Sequence, residues 1–276
     1  MIGPLVGVRV GIKVGIAPGI GASASGGSGG GTDPMAGVSR DATSAVYCPA
    51  NNAEWTTTMT VAGLVGGNPS SLWLCQEAAG NLADSIGAVT LVAAGAPTYR
   101  NAQAGWTRLA MSITATTVQA FTFGAGTYDP STTSVAWLVY VSTPNTPGGS
   151  RNVVTGSSNA TSLRIDHLGT NKLSAVADGN TASSLGNYNL ATVYPLLFVY
   201  DRTGSLCKMY TQTEVISVAF AAVVDGNKGF GAVFSNGDAG SKYLYSCVFA
   251  GAAAEQLSST ANARALLNTL SWAPTF

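Results

Sequence analysis

The sequence predicts an all-β protein, a two-sheet antiparallel jelly-roll sandwich with an extended N-terminal β arm and one C-terminal helix. Three observations predict this fold class. Short runs rich in β-branched and aromatic residues recur along the chain and are separated by turn signals. Every second residue from position 4 to position 20 is apolar, as in a strand. A convincing helical pattern occurs only near the C-terminus.

The arm is predicted over residues 1–22. Its even positions are apolar, while its odd positions are mostly glycine and include Arg9 and Lys13. A single strand of this kind has unpaired backbone groups and an apolar face that must be covered. We expect that face to contact neighbouring subunits through Val6, Val8, Val10, Ile12, Val14 and Ile16. Two alternatives stay open, an ordinary first strand of the chain's own domain and a glycine-packed helix.

Residues 23–37 are predicted to form a flexible linker, because this stretch is rich in glycine and serine. A patterned strand on such a linker indicates strand donation between subunits. We therefore expect a homo-oligomer of identical subunits, with a trimer as the expected order.

The body, residues 38–276, contains the β-type runs and the helix. Antiparallel sheets that each bury one face pack together as a sandwich, which fits so many short strands. The helix is predicted over 252–270, where Leu257, Ala261, Leu266 and Leu270 lie near one face. The predicted strands are 71–75, 88–93, 107–113, 117–123, 135–141, 151–155, 162–166, 172–177, 193–200, 206–211, 215–219, 228–233 and 243–249.

Charged residues are scarce and balanced. Only 9% of the 276 residues are charged, with 13 Lys and Arg against 13 Asp and Glu. Nucleic-acid binding needs clustered cations to displace counterions, and an anionic membrane surface attracts basic patches. We therefore expect no nucleic-acid partner. We also expect no membrane span, since no window reaches the about 18 to 20 uncharged apolar residues that one needs.

Several stretches of the body resemble concanavalin A-like, laminin-G-like domains. They include a turn of the form Asp84-Ser-x-Gly87 and a second turn of the form Asp201-x-x-Gly204. The resemblance covers most of residues 70–270, and it implies the jelly-roll fold rather than a particular activity. The stretches are 73–77, 80–87, 95–99, 135–140, 199–204, 208–210 and 255–257.

The order of arm, glycine linker and single sandwich also resembles virion proteins of tailed bacteriophages. This resemblance implies a virion structural protein, either a capsid decoration or a tail or fibre component. The arm would anchor it to other virion proteins, with the sandwich displayed outward. The implied location is the virion, after synthesis in the host cytoplasm.

The sequence predicts no enzyme. Glycosidases of this fold place carboxylates together in a cleft, but Glu54, Glu77, Glu214 and Glu255 have no acidic partner two residues away. The single histidine, His167, adjoins Asp166 at a predicted strand end, where neighbouring side chains point to opposite faces. A surface histidine is therefore expected there, and a glycan hydrolase remains only as a fold analogy.

Loop residues offer an alternative function, a carbohydrate-binding lectin-like module. Rings near loops can stack on sugars, and a host-surface glycan is then the expected partner. The candidate stacking residues are Trp106, Tyr128 and Tyr188. Loop oxygens could also hold Ca²⁺, although Asp-Gly and Asn-Gly pairs are the usual residues of tight hairpins, and we favour the turn interpretation. The candidate calcium ligands are Asp178, Asn180, Asp225, Asn227 and Asp238, and no other cofactor is expected.

The four cysteines, Cys48, Cys75, Cys207 and Cys247, have no metal-ligand spacing. Four buried thiols are the expected state, and a single bridge from Cys207 to Cys247 stays open as an alternative.

Overall fold

The computed structural model describes residues 33–41, 46–94, 97–101, 107–108, 110–113, 120–122, 127–142, 151–154, 163–168, 172–184, 186, 194–222 and 241–271. These residues all fall within one unit of the chain, Asp33–Pro274. The predicted arm, residues 1–22, and linker positions 23–32 lie outside them. The last predicted linker positions form a turn, in which Met35 packs against the core at 4% exposure.

The described elements are mostly strands. The three helices among them are α1 Asn52–Val61, α2 Ala252–Gln256 and α3 Thr260–Leu270. The strands are β1 Arg40–Asp41, β2 Val46–Tyr47, β3 Ser71–Trp73, β4 Val92–Ala94, β5 Thr98–Asn101, β6 Ala110–Ile113, β7 Ala120–Thr122, β8 Val135–Ser142, β9 Arg151–Val154, β10 Arg164–His167, β11 Leu173–Ala177, β12 Asn180–Ser183, β13 Tyr194–Asp201, β14 Leu206–Tyr210, β15 Val215–Val218 and β16 Ser241–Ala250.

Two sheets build the sandwich, and every pairing among the described strands is antiparallel. The larger sheet has eight strands in the order β15-β14-β13-β8-β16-β6-β5, with β3 also paired to β16. The smaller sheet has four strands in the order β12-β11-β10-β9. Two short pairs, β1 with β2 and β4 with β7, stand apart from these sheets. The predicted all-β, two-sheet antiparallel sandwich is confirmed.

The first core lies between the two sheets. Trp137 and Phe198 of the large sheet pack with Ile165, Leu173 and Ala175 of the small sheet, and all five are fully buried. On β8 and β13 these contacts come from every second residue, as the period of a strand requires. Trp137 also donates a hydrogen bond from Nε1 to Oγ of Ser246 at 2.7 Å, which satisfies its polar atom inside the core.

The second core lies on the other face of the large sheet, where the helices cover it. Trp55 of α1 and Leu266 of α3 pack there with Leu138, Tyr140 and Tyr245 of the sheet. Both tyrosines are fully buried, and their hydroxyls donate to backbone carbonyls before α1 at 2.9 and 2.7 Å. The large sheet is thus buried on both faces, which explains why β8 and β13 read as continuous apolar runs instead of alternating ones.

The sequence did not predict helix α1. Its threonines are poor helix formers, and their hydroxyls bond back to carbonyls four residues earlier. The helix starts with a cap that is visible in the sequence, since Asn51 Oδ1 accepts the N–H of Glu54 at 3.0 Å. Glu54 in turn accepts backbone N–H groups of Ser39 and Ala50, and it joins the preceding segment to the helix.

The predicted C-terminal helix is present as two consecutive helices, α2 and α3. The break falls at Ser258, whose carbonyl accepts hydrogen bonds from the Tyr210 hydroxyl at 3.0 Å and the Lys208 ammonium at 3.4 Å. The next helix begins at Thr260. The described residues contain no helix long and apolar enough to span a bilayer. The predicted strand 228–233 lies outside the described residues.

Candidate functional site

An open groove of about 280 Å³ lies where the edge strands of the two sheets come together. Strand β12 is the edge of the small sheet and β15 is the edge of the large one. The volume is close to the lower end of the about 300–1,000 Å³ usual for ligand pockets. The groove is lined by Ala182, Ser183, Glu214, Val215, Ile216 and Ser217.

A tight hairpin brings β12 to this edge. Asp178 and Gly179 both have positive φ, 44° and 80°, and they connect the paired residues Ala177 and Asn180. Two positive φ values in a two-residue loop are the geometry of a type I′ turn, which matches the twist of the strands. The side-chain amide of Asn180 donates to the carbonyl of Ala219 at 3.1 Å, which ties the hairpin to the end of β15.

Glu214 is held in place by the turn that precedes β15. The Glu214 N–H donates to Thr211 Oγ1 at 2.9 Å, and the Thr211 N–H donates to the Glu214 carbonyl at 3.0 Å. Its Oε1 accepts the N–H of Gly186 at 2.6 Å. The contact with Gly186 orients the Glu214 carboxylate, and the two contacts with Thr211 fix its backbone.

The groove combines polar and apolar surface. Its lining includes two exposed serines, Ser183 and Ser217, together with Glu214. Val215 is 37% exposed, whereas Ile216 is turned into the inter-sheet core at 5%. A ring with hydroxyl groups on its edge and C–H groups on its face is complementary to such a surface.

The two Asp-x-x-Gly turns have a structural role. Asp84 Oδ1 accepts the N–H groups of Leu72, Ile86 and Gly87 at 2.9, 3.1 and 2.8 Å, and Oδ2 accepts that of Val89 at 3.1 Å. A Cβ at Gly87 would come within 2.6 Å of Asp84 Oδ2, so glycine is needed there.

Asp201 and Gly204 repeat this arrangement. Asp201 Oδ1 accepts the Gly204 N–H at 2.7 Å, and a Cβ on Gly204 would lie 2.5 Å from Oδ2 of Asp201. Both motifs therefore join a carboxylate to a turn that only glycine fits.

Hydrogen bonding sets the charge state of Asp84. Burial by itself would raise its pKa, but hydrogen bonds from Ser71 and from the backbone N–H groups overcome this effect, and the pKa is lowered from the ordinary 3.8. A carboxylate that stays ionised and whose oxygens already accept backbone N–H groups has a structural role and does not transfer protons.

Of the three predicted stacking residues, only Tyr128 is described. Its side chain packs against the inter-sheet core, its φ is 50°, and its hydroxyl shares a hydrogen bond with Ser71. Burial raises the pKa of Tyr128. Tyr128 is not among the residues that line the groove. Trp106 and Tyr188 lie outside the described residues, although Gly186, two positions before Tyr188, contacts Glu214.

The predicted calcium ligands are only partly described. Asp178 lies in the β11–β12 turn and Asn180 is the first residue of β12, whereas Asp225, Asn227 and Asp238 lie outside the described residues. Within the described part of the chain, no three His, Cys, Asp or Glu side chains are grouped to hold a metal. The predicted contact residues of the arm, Val6, Val8, Val10, Ile12, Val14 and Ile16, also lie outside. His167 is the last residue of β10, at the predicted strand end.

The four cysteines are free and buried, as expected. Cys207 packs in the inter-sheet core and Cys247 in the core under the helices, so the two thiols face opposite sides of the large sheet. This placement rules out the alternative bridge between them. Burial raises the pKa of Cys207 to about 12, and it does the same for Cys48.

The groove residues Ser183, Glu214 and Ser217 were not predicted as binding residues. Glu214 was considered only as a catalytic acid, and the serines lie in short strands that carry no motif. The one available signal is a Glu directly before the predicted strand 215–219. The groove itself arises from two strands that are distant in sequence, which no local pattern reveals.

No protein-family model matches the sequence, and no curated protein matches it. Similar solved structures include a Trypanosoma rangeli sialidase in complex with 2,3-difluorosialic acid, with TM-score 0.55, 11% identity, and coverage of 74% of this chain and 33% of that chain. A botulinum neurotoxin DC binding domain in complex with rat synaptotagmin II has TM-score 0.50, 11% identity, and coverage of 73% and 51%.

A third similar structure is of botulinum neurotoxin type C, whose cell entry depends on interaction with two ganglioside molecules. It has TM-score 0.50 and 11% identity, and the match covers 73% of this chain and 51% of that chain. The chain spans about a third of the length of the sialidase and about half of the neurotoxin chains. At these identities the likeness establishes the fold, a β-sandwich.

The prediction that the chain is not an enzyme is contradicted by these similarities. The structures that it resembles include sialidases, which are enzymes, so this architecture is found in enzyme chains. The prediction rested on the missing carboxylate pair, but not every glycosidase uses two carboxylates. A missing pair therefore gives no ground for excluding catalysis by a chain of this fold.

Proposed function

We propose that the chain is a lectin-like module that binds carbohydrate in the groove between β12 and β15. The observation that carries this proposal is a groove at the sandwich edge whose lining residues include Glu214, the exposed Ser183 and Ser217, and the partly exposed Val215. Sugars are recognised by such a mixture, because hydroxyl groups need directed partners and the ring face needs apolar contact.

Two of the similar structures support the choice of ligand class. One is a sialidase in complex with a difluorosialic acid, and another concerns a neurotoxin that interacts with gangliosides. Both ligands contain sugars. The likeness carries no residue of either binding site over to this chain, so the proposed site rests on the geometry of the groove.

A glycan array of the full chain tests the proposal. Substituting Ser217→Trp adds a large ring at an exposed residue that lines the groove, and we expect it to abolish binding to every glycan that the unchanged protein retains. The matched control is Thr60→Trp on the exposed side of α1, which should leave binding unchanged. No glycan retained by the unchanged protein, or equal binding by Ser217→Trp, would refute the proposal.

Calcium dependence is a separate part of the proposal, and it rests on the loop acids. If Ca²⁺ is needed, a chelator removes glycan binding and added Ca²⁺ restores it. Substituting Asp178→Asn and Asp225→Asn should then weaken binding in the same way. Binding that is unaffected by chelator assigns these residues to turns alone.

We further propose that the module is laminin-G-like and belongs to a virion protein, as a capsid decoration or a tail or fibre component. Residues 1–22 would attach it to identical subunits, in a trimer, and to other virion proteins, with residues 23–37 as the linker and residues 38–276 as the displayed sandwich. The alternating pattern of the arm supports this proposal, because its apolar face needs cover from a neighbour.

Light scattering tests the role of the arm. We expect Val10→Lys together with Val14→Lys to reduce the oligomer to a smaller mass, since both changes place charges on the apolar face. Arg9→Ser together with Lys13→Ser alters the opposite face and serves as the control. An unchanged mass for the valine variant, or for a chain lacking residues 1–22, would contradict the proposed attachment.

A further inference from the structure

The exposed surface of helix α1 carries no charged residue. Between positions 42 and 76 the single charged residue is Glu54, in the first turn of the helix. Its carboxylate is already bonded, since it accepts the N–H groups of Ser39 and Ala50 at 2.8 and 2.9 Å and the side-chain amide of Asn51 at 3.0 Å. The exposed surface, here called the α1 face, consists of Asn52, Ala53, Thr56, Thr60, Val61 and the nearby Val65.

The exposed threonine hydroxyls of the α1 face are bonded within the protein. Thr56 Oγ1 donates to the Asn52 carbonyl at 2.9 Å, and Thr60 Oγ1 donates to the Thr56 carbonyl at 2.7 Å. Asn68 also donates from Nδ2 to Thr56 Oγ1 at 2.9 Å. Covering a donor that loses its partner is costly, whereas these donors keep theirs. The face can therefore be removed from water at little polar cost.

Val65 is the most exposed large apolar residue in the described part of the chain, at 78%. It lies in a turn in which the Gly67 N–H donates to the Leu64 carbonyl at 3.3 Å, and Leu64 is buried at the base of this turn. Val61, the last residue of α1, is 39% exposed. Turns usually carry small or polar residues, so an exposed valine beside a second one indicates a surface that a partner covers.

The start of the described unit lies beside α1. Met35 packs in the same core as Trp55 of the helix, and Ser39 donates to the Glu54 carboxylate from both its N–H and its hydroxyl. The chain therefore enters this unit, which begins at Asp33, on the helix-covered side of the large sheet. Subunits that are joined through the preceding residues 1–32 would meet on this side.

The lack of charge also favours a second copy of the chain as the partner. A charged partner would lose the water around its charges on this face and would gain no opposite charge in exchange. An uncharged face is complementary to another uncharged face, and a second copy supplies one.

We infer that the α1 faces of identical subunits pack together around the symmetry axis of the oligomer, where Val65 of each copy contacts the same residue of its neighbours. This inference deepens the proposed association of identical subunits and rests on it. Residues close to a rotation axis meet their own symmetry copies, whatever the order of the axis. A stable interface covers about 800 Å² of each partner, which is more than one ten-residue helix of about 15 Å supplies. The α1 face therefore forms part of the contact.

Sedimentation velocity of the full chain over a range of concentrations tests the inference. Val65→Glu places like charges together at the axis, and we expect the dissociation constant of the oligomer to rise at least about tenfold. Val61→Glu, on the same face, should act in the same direction. Val92→Glu makes the same change at a valine of β4 that is 49% exposed and lies outside the α1 face, so it should leave association unchanged.

A mixture of two variants tests whether identical residues meet. Val65→Glu and Val65→Lys should each associate weakly alone, whereas an equal mixture should associate at least about threefold more tightly than either, because opposite charges then meet. Circular dichroism checks that each variant is folded. A Val65→Glu variant that associates as tightly as the unchanged protein overturns the inference, and so does a mixture that associates no more tightly than its components.

The arm variant separates this inference from the proposed role of the arm. If Val10→Lys with Val14→Lys dissociates the oligomer and Val65→Glu does not, the inference is overturned and the proposed arm contact stands. If Val65→Glu dissociates it and the arm variant does not, the arm contact is refuted and the inference stands. An unchanged protein that is monomeric at every concentration refutes both.

Discussion

The Asp84 turn permits a stability prediction that can be worked from the structure. Asp84→Ala removes the acceptor of four backbone N–H groups, those of Leu72, Ile86, Gly87 and Val89. Leu72 is fully buried in β3, so we assign about 2 kcal/mol to its orphaned N–H. The other three N–H groups lie in a partly exposed turn and regain water, at about 0.5 kcal/mol each. The expected loss is about 3 to 4 kcal/mol.

Asp84→Asn provides the internal comparison. Its carbonyl oxygen can replace Oδ1 and keep three of the bonds, while its NH₂ group faces the N–H of Val89 and loses that one. We expect about 1 to 2 kcal/mol of destabilisation, because the remaining bonds also lose their charge assistance. Urea unfolding followed by circular dichroism measures both variants, with Asp33→Ala as a control at an exposed carboxylate that accepts one backbone N–H.

The pH dependence has a definite sign. The pKa of Asp84 is lower in the folded chain than the ordinary 3.8, so its stabilisation is present above about pH 4 and is lost as the pH falls through the folded pKa. Asp84→Asn should flatten this part of the acid unfolding curve. A loss below about 1 kcal/mol for Asp84→Ala, or an acid curve that Asp84→Asn does not alter, would refute the assigned role.

Two further predictions concern buried groups. Tyr245→Phe removes the donor to the Pro49 carbonyl, a buried bond of 2.7 Å, and should cost about 1 to 3 kcal/mol in urea unfolding; a change below about 0.5 kcal/mol would contradict it. Burial raises the pKa of the Cys48 and Cys207 thiols to about 12. A disulfide reagent at pH 8 should therefore label no cysteine in the native protein and all four after unfolding. Rapid labelling of the native protein would refute this prediction. The same shift makes the folded state lose stability above about pH 9, as thiols that can ionise only when exposed favour unfolding.

The strongest local patterns predicted the sandwich well. The runs that became β8, β13 and β14 are rich in β-branched and aromatic residues, and their residue types alone favour strands. The turn at Asp178-Gly179 was predicted from the pair itself, since two positive φ values suit few other residues. These features depend on backbone sterics and on neighbours close in sequence.

Helix α1 shows where local reasoning failed. Its cap at Asn51 and Glu54 was readable, but its threonines favour strand, and what stabilises the helix is the burial of Trp55 and Met59 on the large sheet. The sheet face that it covers has no mark in the sequence other than the lack of alternation in β8. Tertiary burial therefore outweighed a weak intrinsic propensity.

The candidate groove lies beyond local reasoning for a related reason. Ser183 and Glu214 meet because β12 and β15 are edges of different sheets, and the stacking of the sheets sets their separation. The sequence by itself determined the strands and the tight turns with their glycines, because these follow from the steric and solvation preferences of short segments. Only the tertiary structure decided which strands became edges, which sheet face received the helices and which side chains share a groove, because pairing and packing join residues whose separation along the chain leaves no periodic trace.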